Sequence, residues 1–214
     1  MEHHEDPDSD EARRKYRGLA RGYDRLIRVV APIRRRVINR LQLRPGDHVL
    51  DMGCGTGASF AALRAAVGPT GRVTGVELTE EMTAIARRHI ADQGWDNVEV
   101  IVGDATVAPL PNDVDGILFF LVHDLTRLPA VVHRAVDAGR PGARVVAFGP
   151  VNATHRLAFA VNAIVKPIAR RYVTTFEGFD KPWSHLAAAV PGLRVTRALG
   201  GGVYIATGEV GPTS

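Results

Sequence analysis

Val49-Leu50-Asp51-Met52-Gly53-Cys54-Gly55-Thr56-Gly57 is the stretch from which the rest of this chain can be read. A short apolar run, 48–52, reaches a carboxylate and then gives way to glycines at alternate positions. Ala58 to Val67 follows directly and has helical character. Strand, glycine turn and helix make the opening unit of a nucleotide-binding α/β fold. Close-set glycines let the main chain turn sharply and leave no Cβ where a ligand must approach the backbone.

The glycine turn by itself is ambiguous. Gly53, Gly55 and Ala58 also satisfy the dinucleotide fingerprint G-x-G-x-x-G/A, and Glu77 stands 24 residues beyond Gly53. Two acids argue against NAD or FAD. Asp51 sits two residues before the first glycine, where a cationic aminoacyl group is welcome and a pyrophosphate is not. Asp104 follows the third apolar run, 98–102, in Gly103-Asp104-Ala105.

With these landmarks the chain resembles the class I S-adenosylmethionine-dependent methyltransferases. The resemblance runs from about Asp47 to Gly149, roughly half of the chain. It rests on Asp51-Met52-Gly53-Cys54-Gly55-Thr56-Gly57, then Gly75-Val76-Glu77-Leu78, then Gly103-Asp104-Ala105, then Arg140-Pro141-Gly142-Ala143 before a last parallel strand. Tyr16 and Tyr23-Asp24, ahead of the first strand, look like the small-molecule branch that includes quinone and phospholipid methyltransferases. The resemblance implies a Rossmann-like α/β fold: a mostly parallel sheet of seven strands, the last antiparallel, with helices on both faces. It also implies S-adenosylmethionine as cofactor, leaving S-adenosylhomocysteine.

Outward from the glycine turn the expectations are as follows. Residues 1–10 read as a disordered acidic leader and 11–214 as one domain, with 11–44 a helical lid and 153–183 a second lid segment. A helix starts at Glu11, Pro32 opens a second one with the apolar face Ile33, Val37, Ile38 and Leu41, and Arg44-Pro45-Gly46-Asp47 turns into the first strand. Strands are expected at 72–77, 98–102, 115–122 and 143–149. Thr79 is a good N-cap for the helix to about Asp92, which Gly94 ends, and a helix over 126–138 stops at Gly139. After a mixed apolar and basic helix at 153–172 come an aromatic loop, Phe176 to Trp183, and a helix to about Val190. Leu193–Leu199 and Val203–Val210, joined at Gly200-Gly201-Gly202, must form an antiparallel pair.

Composition bounds the function. The 214 residues are 45% hydrophobic and 23% charged, ordinary for a soluble single domain, and a cytoplasmic enzyme is the expectation. No apolar run approaches the ~20 residues of a membrane span. Cys54 is the only cysteine, which excludes an internal disulfide and a cysteine-based zinc cluster. Residues 11–44 hold eleven arginines and Lys15 against Glu11 and Asp24, 12 − 2 = +10, whereas residues 1–10 hold five acids and no lysine or arginine. Such a face suits nucleic acid, anionic lipid or an acidic substrate, but a solvated helix surface is the simpler reading, and no aromatic-interleaved RNA-binding pattern accompanies it. A homodimer is compatible with the chain.

By the resemblance, Asp51 and the Gly53–Gly57 backbone, Cys54 and Thr56 included, serve the methionyl part of the cofactor. Glu77 accepts bonds from the ribose hydroxyls, Leu78 and Met82 pack the adenine, and Asp104, beside Ala105, accepts its amino group. Methyl transfer asks for positioning and a dry site, and for a base only when the acceptor must lose a proton. His123 and Asp124 follow the fourth strand beside the crevice where strand order reverses, so His123 is the candidate base. Tyr23 is a candidate to cover the acceptor or touch the cofactor carboxylate, with Tyr16, His155, Tyr172, Phe176, Phe179 and Trp183 as further pocket residues. An aromatic lid suits a planar or cationic acceptor, so an aromatic or indole-like secondary metabolite is expected, with a quinone or a phospholipid head group as the alternative. No metal-binding spacing and no hydrolase elbow occurs, and Cys54 reads as a small filler rather than a nucleophile. The rival readings are an NAD(P)- or FAD-dependent oxidoreductase and an RNA-binding module of the same fold.

Overall fold

Apolar runs punctuated by glycine become strands, and the stretches of helical periodicity between them become helices. The computed structural model describes residues 23–153, 162–163, 176 and 178–212, with side chains from residue 30 onward. In chain order the elements are α1 (Tyr23–Ile38), a 3-10 turn (Asn39–Leu41), β1 (His48–Met52), α2 (Phe60–Val67), β2 (Arg72–Glu77), α3 (Glu80–Asp92) and β3 (Val98–Val102). There follow β4 (Val114–Phe120), α4 (His123–Thr126), α5 (Pro129–Asp137), β5 (Gly139–Pro150), α6 (Ser184–Ala189), β6 (Arg194–Ala198) and β7 (Val203–Glu209). The expected acidic leader, the helix from Glu11 with Tyr16, and most of the 153–183 lid, including His155 and Tyr172, lie outside the described residues.

The seven strands form one sheet in the order β3-β2-β1-β4-β5-β7-β6. β1 pairs in parallel with β2 and β4, β2 with β3, and β4 with β5. β7 is antiparallel to both β5 and β6, as expected of the last strand. Successive strand residues point to opposite faces, and both faces are covered. Val49, Val73, Leu118 and Val146 pack with Val37 and Ile38 of α1, Phe60 and Leu63 of α2 and Ala86 of α3. Leu50, Met52, Ile117 and Phe119 pack on the other face with Val131, Val132 and Ala135 of α5 and Leu186 of α6. Strand order reverses between β1 and β4, which opens a crevice at their carboxyl ends.

Several expected boundaries move, each for a physical reason. Pro32 lies inside one continuous α1 rather than opening a second helix, and it sits on the exposed side, where a missing N–H costs least. α2 begins at Phe60 instead of Ala58 because 53–59 are spent on turns, with Gly53, Gly55 and Gly57 at φ of 68°, 57° and 76°. Gly139 is the first residue of β5, paired with Val114, and not a helix stop. A Cβ there would come within 2.9 Å of Val210 and 3.1 Å of Ala143, so packing is what requires the glycine. The expected 126–138 helix is divided into α4 and α5, with Pro129 at the start of the second.

Candidate functional site

The glycine turn and its neighbours form one half of the site. Asp51 pairs with Gly75 of β2 and Leu118 of β4. In-register residues of parallel strands share a face, so Glu77 and Phe120, each two residues further on, face the same way as Asp51 at the carboxyl edge. The Glu77 carboxylate is anchored on both oxygens. Oε1 accepts from the Thr79 N–H at 3.0 Å and the Thr79 hydroxyl at 2.8 Å, and Oε2 accepts from the Gly55 N–H at 3.1 Å. Thr79 stands at the N-cap of α3 without capping it, because its hydroxyl is turned to Glu77.

Cys54 is the small filler that the sequence suggested. Its Sγ lies over Gly75, where a Cβ would approach it to 2.6 Å. Burial, and then the charges of Asp51 and Glu77, push the thiol well above its ordinary range, so it favours the protonated form. The next loop is tied in by the main chain: the Gly103 N–H donates to the Glu77 carbonyl at 2.9 Å. Asp104 Oδ1 accepts from the N–H and hydroxyl of Thr106, at 2.8 and 2.7 Å. Leu78 is partly exposed, whereas Met82 and Ala105 are buried.

Asp51 is the electrostatic anomaly. It is 1% exposed, and its Oδ2 has no hydrogen-bond partner among the described residues. Burial pushes its carboxyl up to about 7, the nearby Glu77 adds to this, and Arg34 and a Ser59 hydrogen bond oppose it. The Thr56 hydroxyl is buried in the same turn and is likewise open among the described residues. Open buried polar atoms in this turn fit a ligand that brings a cation and hydrogen-bond donors. They fit the aminoacyl group of S-adenosylmethionine and not a pyrophosphate.

The other half of the site is assembled from β4 onward. The turn after β4 packs directly on the glycine turn: a Cβ on Gly53 would lie 2.6 Å from Val122 and 3.0 Å from Leu125. His123 and Asp124 are buried in α4. The His123 ring meets Phe179 edge-on at 5.2 Å, and Phe179 meets Phe176 at 5.0 Å. Thr126 donates its hydroxyl to the His123 carbonyl at 2.9 Å, and the buried Tyr204 hydroxyl bonds Thr126. Trp183 packs against Tyr204 at 5.1 Å, under the Arg197 guanidinium at 5.5 Å. Tyr23 begins α1, but its side chain is outside the described set.

Sequence reasoning missed Arg34, Thr79, Thr126, Arg197 and Tyr204. For Arg34 a signal existed: 34, 37, 38 and 41 follow helical spacing, so this arginine falls on the apolar face rather than among its exposed neighbours Arg35 and Arg36. Among the described residues, no group of His, Cys, Asp and Glu is arranged to hold a metal ion, and no helix is long and apolar enough to cross a membrane.

Residues 49–142 match the family model described as a methyltransferase domain. A demethylmenaquinone methyltransferase of Symbiobacterium thermophilum is 29% identical over 136 residues, 60% of this chain and 54% of that one. Its counterpart in Staphylococcus aureus is 33% identical over 109 residues, 49% of this chain and 44% of that one. The match thus spans about half the length of these relatives. A SAM-dependent methyltransferase structure from Aquifex aeolicus superposes with a TM-score of 0.63 at 23% identity, covering 83% of this chain and 89% of that one.

Proposed function

We propose that this chain, whose residues 49–142 match a methyltransferase domain, is an S-adenosylmethionine-dependent methyltransferase that transfers the cofactor's methyl group to a small planar acceptor of the hydroquinone kind. The observation that carries this reading is the position of His123. It is buried on the segment that packs against Gly53, with an aromatic wall at its edge. The names of the curated relatives favour a quinone-like ring over the indole-like metabolite expected from the aromatic loop alone.

Bound along the carboxyl edge, S-adenosylmethionine supplies a methyl group on a positively charged sulfur that departs readily. Asp51 offers its open oxygen to the ammonium group, and the Gly53–Gly57 main chain, with Thr56, lines the methionyl chain. Glu77 faces the ribose. A carboxylate has about four acceptor places, and three on Glu77 are in use. One place is thus left for a ribose hydroxyl, and the Gly55 N–H, the longest of the three bonds, would be the one to yield to a second. Leu78 and Met82 pack the adenine, and Asp104 and Ala105 line its amino edge.

On the acceptor side, His123 takes the proton of a ring hydroxyl. The charge would spread onto the neighbouring ring carbon, which would take the methyl group as its bond to sulfur breaks and S-adenosylhomocysteine leaves; that carbon's own proton would pass to solvent and His123 would return its proton to the ring oxygen, restoring the aromatic hydroquinone. Phe176 and Phe179 hold the ring flat and exclude water. The test supplies methyl-labelled cofactor with a naphthohydroquinone, an indole or ethanolamine. Label on a ring carbon of the naphthohydroquinone is expected; label passing only to the indole or the amine overturns the acceptor assignment.

A further inference from the structure

Gly149 of β5, Tyr204 of β7 and Arg197 of β6 stand in one register row across three strands, and directly opposite residues share a face. The φ of Gly149 lies outside the left-handed region, so its backbone does not require a glycine. The Tyr204 ring does: a Cβ on Gly149 would lie 3.1 Å from its Cε1 and 3.5 Å from its hydroxyl oxygen. The ring thus passes over β5, and its hydroxyl bonds Thr126 in α4. Thr126 has one hydroxyl proton and donates it to the His123 carbonyl at 2.9 Å, so Tyr204 is the donor to Thr126. Both residues are buried, and burial keeps the phenol protonated and therefore a donor. Trp183 packs on the Tyr204 ring, and the Arg197 guanidinium lies over Trp183. At the far end of this chain, α4 is one turn of four residues, a length with little stability of its own.

We infer that Tyr204 and Thr126 are positioning residues for His123: their hydrogen-bonded chain fixes the main chain of α4, and with it the direction in which the imidazole meets the acceptor. Plain packing does not explain the arrangement. The ring alone would fill the space beside Trp183, whereas a buried hydroxyl is costly unless it is bonded. The bond it makes leads, through one further hydroxyl, to the main chain of the candidate base itself. β5 gives up a side chain at Gly149 to let the ring through, although glycine weakens a strand interior. A base must stand within hydrogen-bond reach of the proton it takes, so a small rotation of so short a helix is enough to spoil the transfer. The inference rests on the reading of His123 as that base.

The test follows methyl transfer from labelled cofactor to a naphthohydroquinone, together with calorimetric binding of S-adenosylhomocysteine. For Tyr204→Phe and for Thr126→Val, kcat should fall roughly 10- to 100-fold. KM for the naphthohydroquinone and affinity for S-adenosylhomocysteine should stay within about twofold of wild type. The double variant should be no slower than the slower single one, since one chain is cut twice, and Thr126→Ser, which keeps the hydroxyl, should retain wild-type kcat. Wild-type kcat in Tyr204→Phe, losses that multiply in the double variant, or an equal fall in Thr126→Ser overturn the assignment. If Tyr204→Phe fails to fold, the contrast between Thr126→Val and Thr126→Ser decides alone. Added to His123→Ala, Tyr204→Phe should cost nothing further; an additional loss would show that Tyr204 acts elsewhere and overturn this inference only. If wild type left the naphthohydroquinone unlabelled, or His123→Ala kept full turnover, the base reading would fall, and this inference with it.

Discussion

Between Asp51 and Asp104 the site is built from main chain and short-range bonds. Glycines with positive φ shape the turn, the Gly55 amide ties it to the Glu77 carboxylate, and the Gly103 amide ties the loop after β3 to the Glu77 carbonyl. Between His123 and Tyr204 the site is built from side chains gathered across the chain. His123 rests on Phe179, its carbonyl on Thr126, Thr126 on Tyr204, and Tyr204 on Trp183. Arg197 adds bonds to the carbonyls of Asn152 at 2.7 Å and Asp180 at 3.4 Å. A turn made of backbone tolerates little change and suits a constant ligand. A wall of side chains can be refashioned residue by residue, which suits a ligand that differs between relatives.

His123→Ala should sever the halves functionally. Turnover should fall by about 10²- to 10⁴-fold, the range for loss of a general base, while calorimetry shows S-adenosylhomocysteine affinity within twofold of wild type. Full turnover would remove His123 as the base. Gly53→Ala attacks the seam where the halves touch. Its φ of 68° disfavours a side chain, and the new Cβ would meet Val122 and Leu125. A loss of about 2–4 kcal/mol in denaturant unfolding is expected, against about 1 kcal/mol for Gly142→Ala, which has a φ of 82° but open space. Equal losses would show that the seam carries no strain.

Glu77→Ala should confine its damage to the donor half, weakening S-adenosylhomocysteine roughly 10- to 100-fold by titration. Unchanged affinity would contradict the ribose placement. A further effect concerns pH. The folded pKa of Asp51, about 7, lies above its ordinary 3.8. Its proton therefore stabilises the ligand-free fold fully below about pH 4, and that contribution is lost as pH rises through about 7. Asp51→Asn should flatten this part of the stability profile, by on the order of 1 kcal/mol per pH unit between those limits. A profile superposable on wild type would show that Arg34 already holds Asp51 ionised.

The same contrast explains what the sequence made legible. Asp51, the glycines and Glu77 stand at fixed intervals because one strand–turn–helix unit places them, so spacing predicts their proximity. β1, β2, β3 and β5 were legible for a similar reason: each is a largely apolar run that ends in, or just before, a glycine, an acid or a proline. Arg34 was hidden because its type contradicts its position on an apolar helix face, and the eye follows type. Tyr204 and Arg197 reach the site through strand pairing and an aromatic stack, contacts between distant residues that no local pattern encodes. Gly139 misled because a glycine after a helix reads as a stop, whereas close packing against Val210 was the cause.

β7 occupies an interior position, between β5 and β6, although its residues come after those of every other strand. During synthesis, therefore, β5 shows a bare edge and β6 has no neighbour to pair with until residues 203–209 have left the ribosome. An unpaired edge is an invitation to the wrong partner. The wall proposed to hold the acceptor is thus the last described part of the sheet to be completed. A nascent chain can complete its donor turn well before it can close the sheet behind His123, and a premature stop ahead of Val203 would leave that open edge as its permanent state.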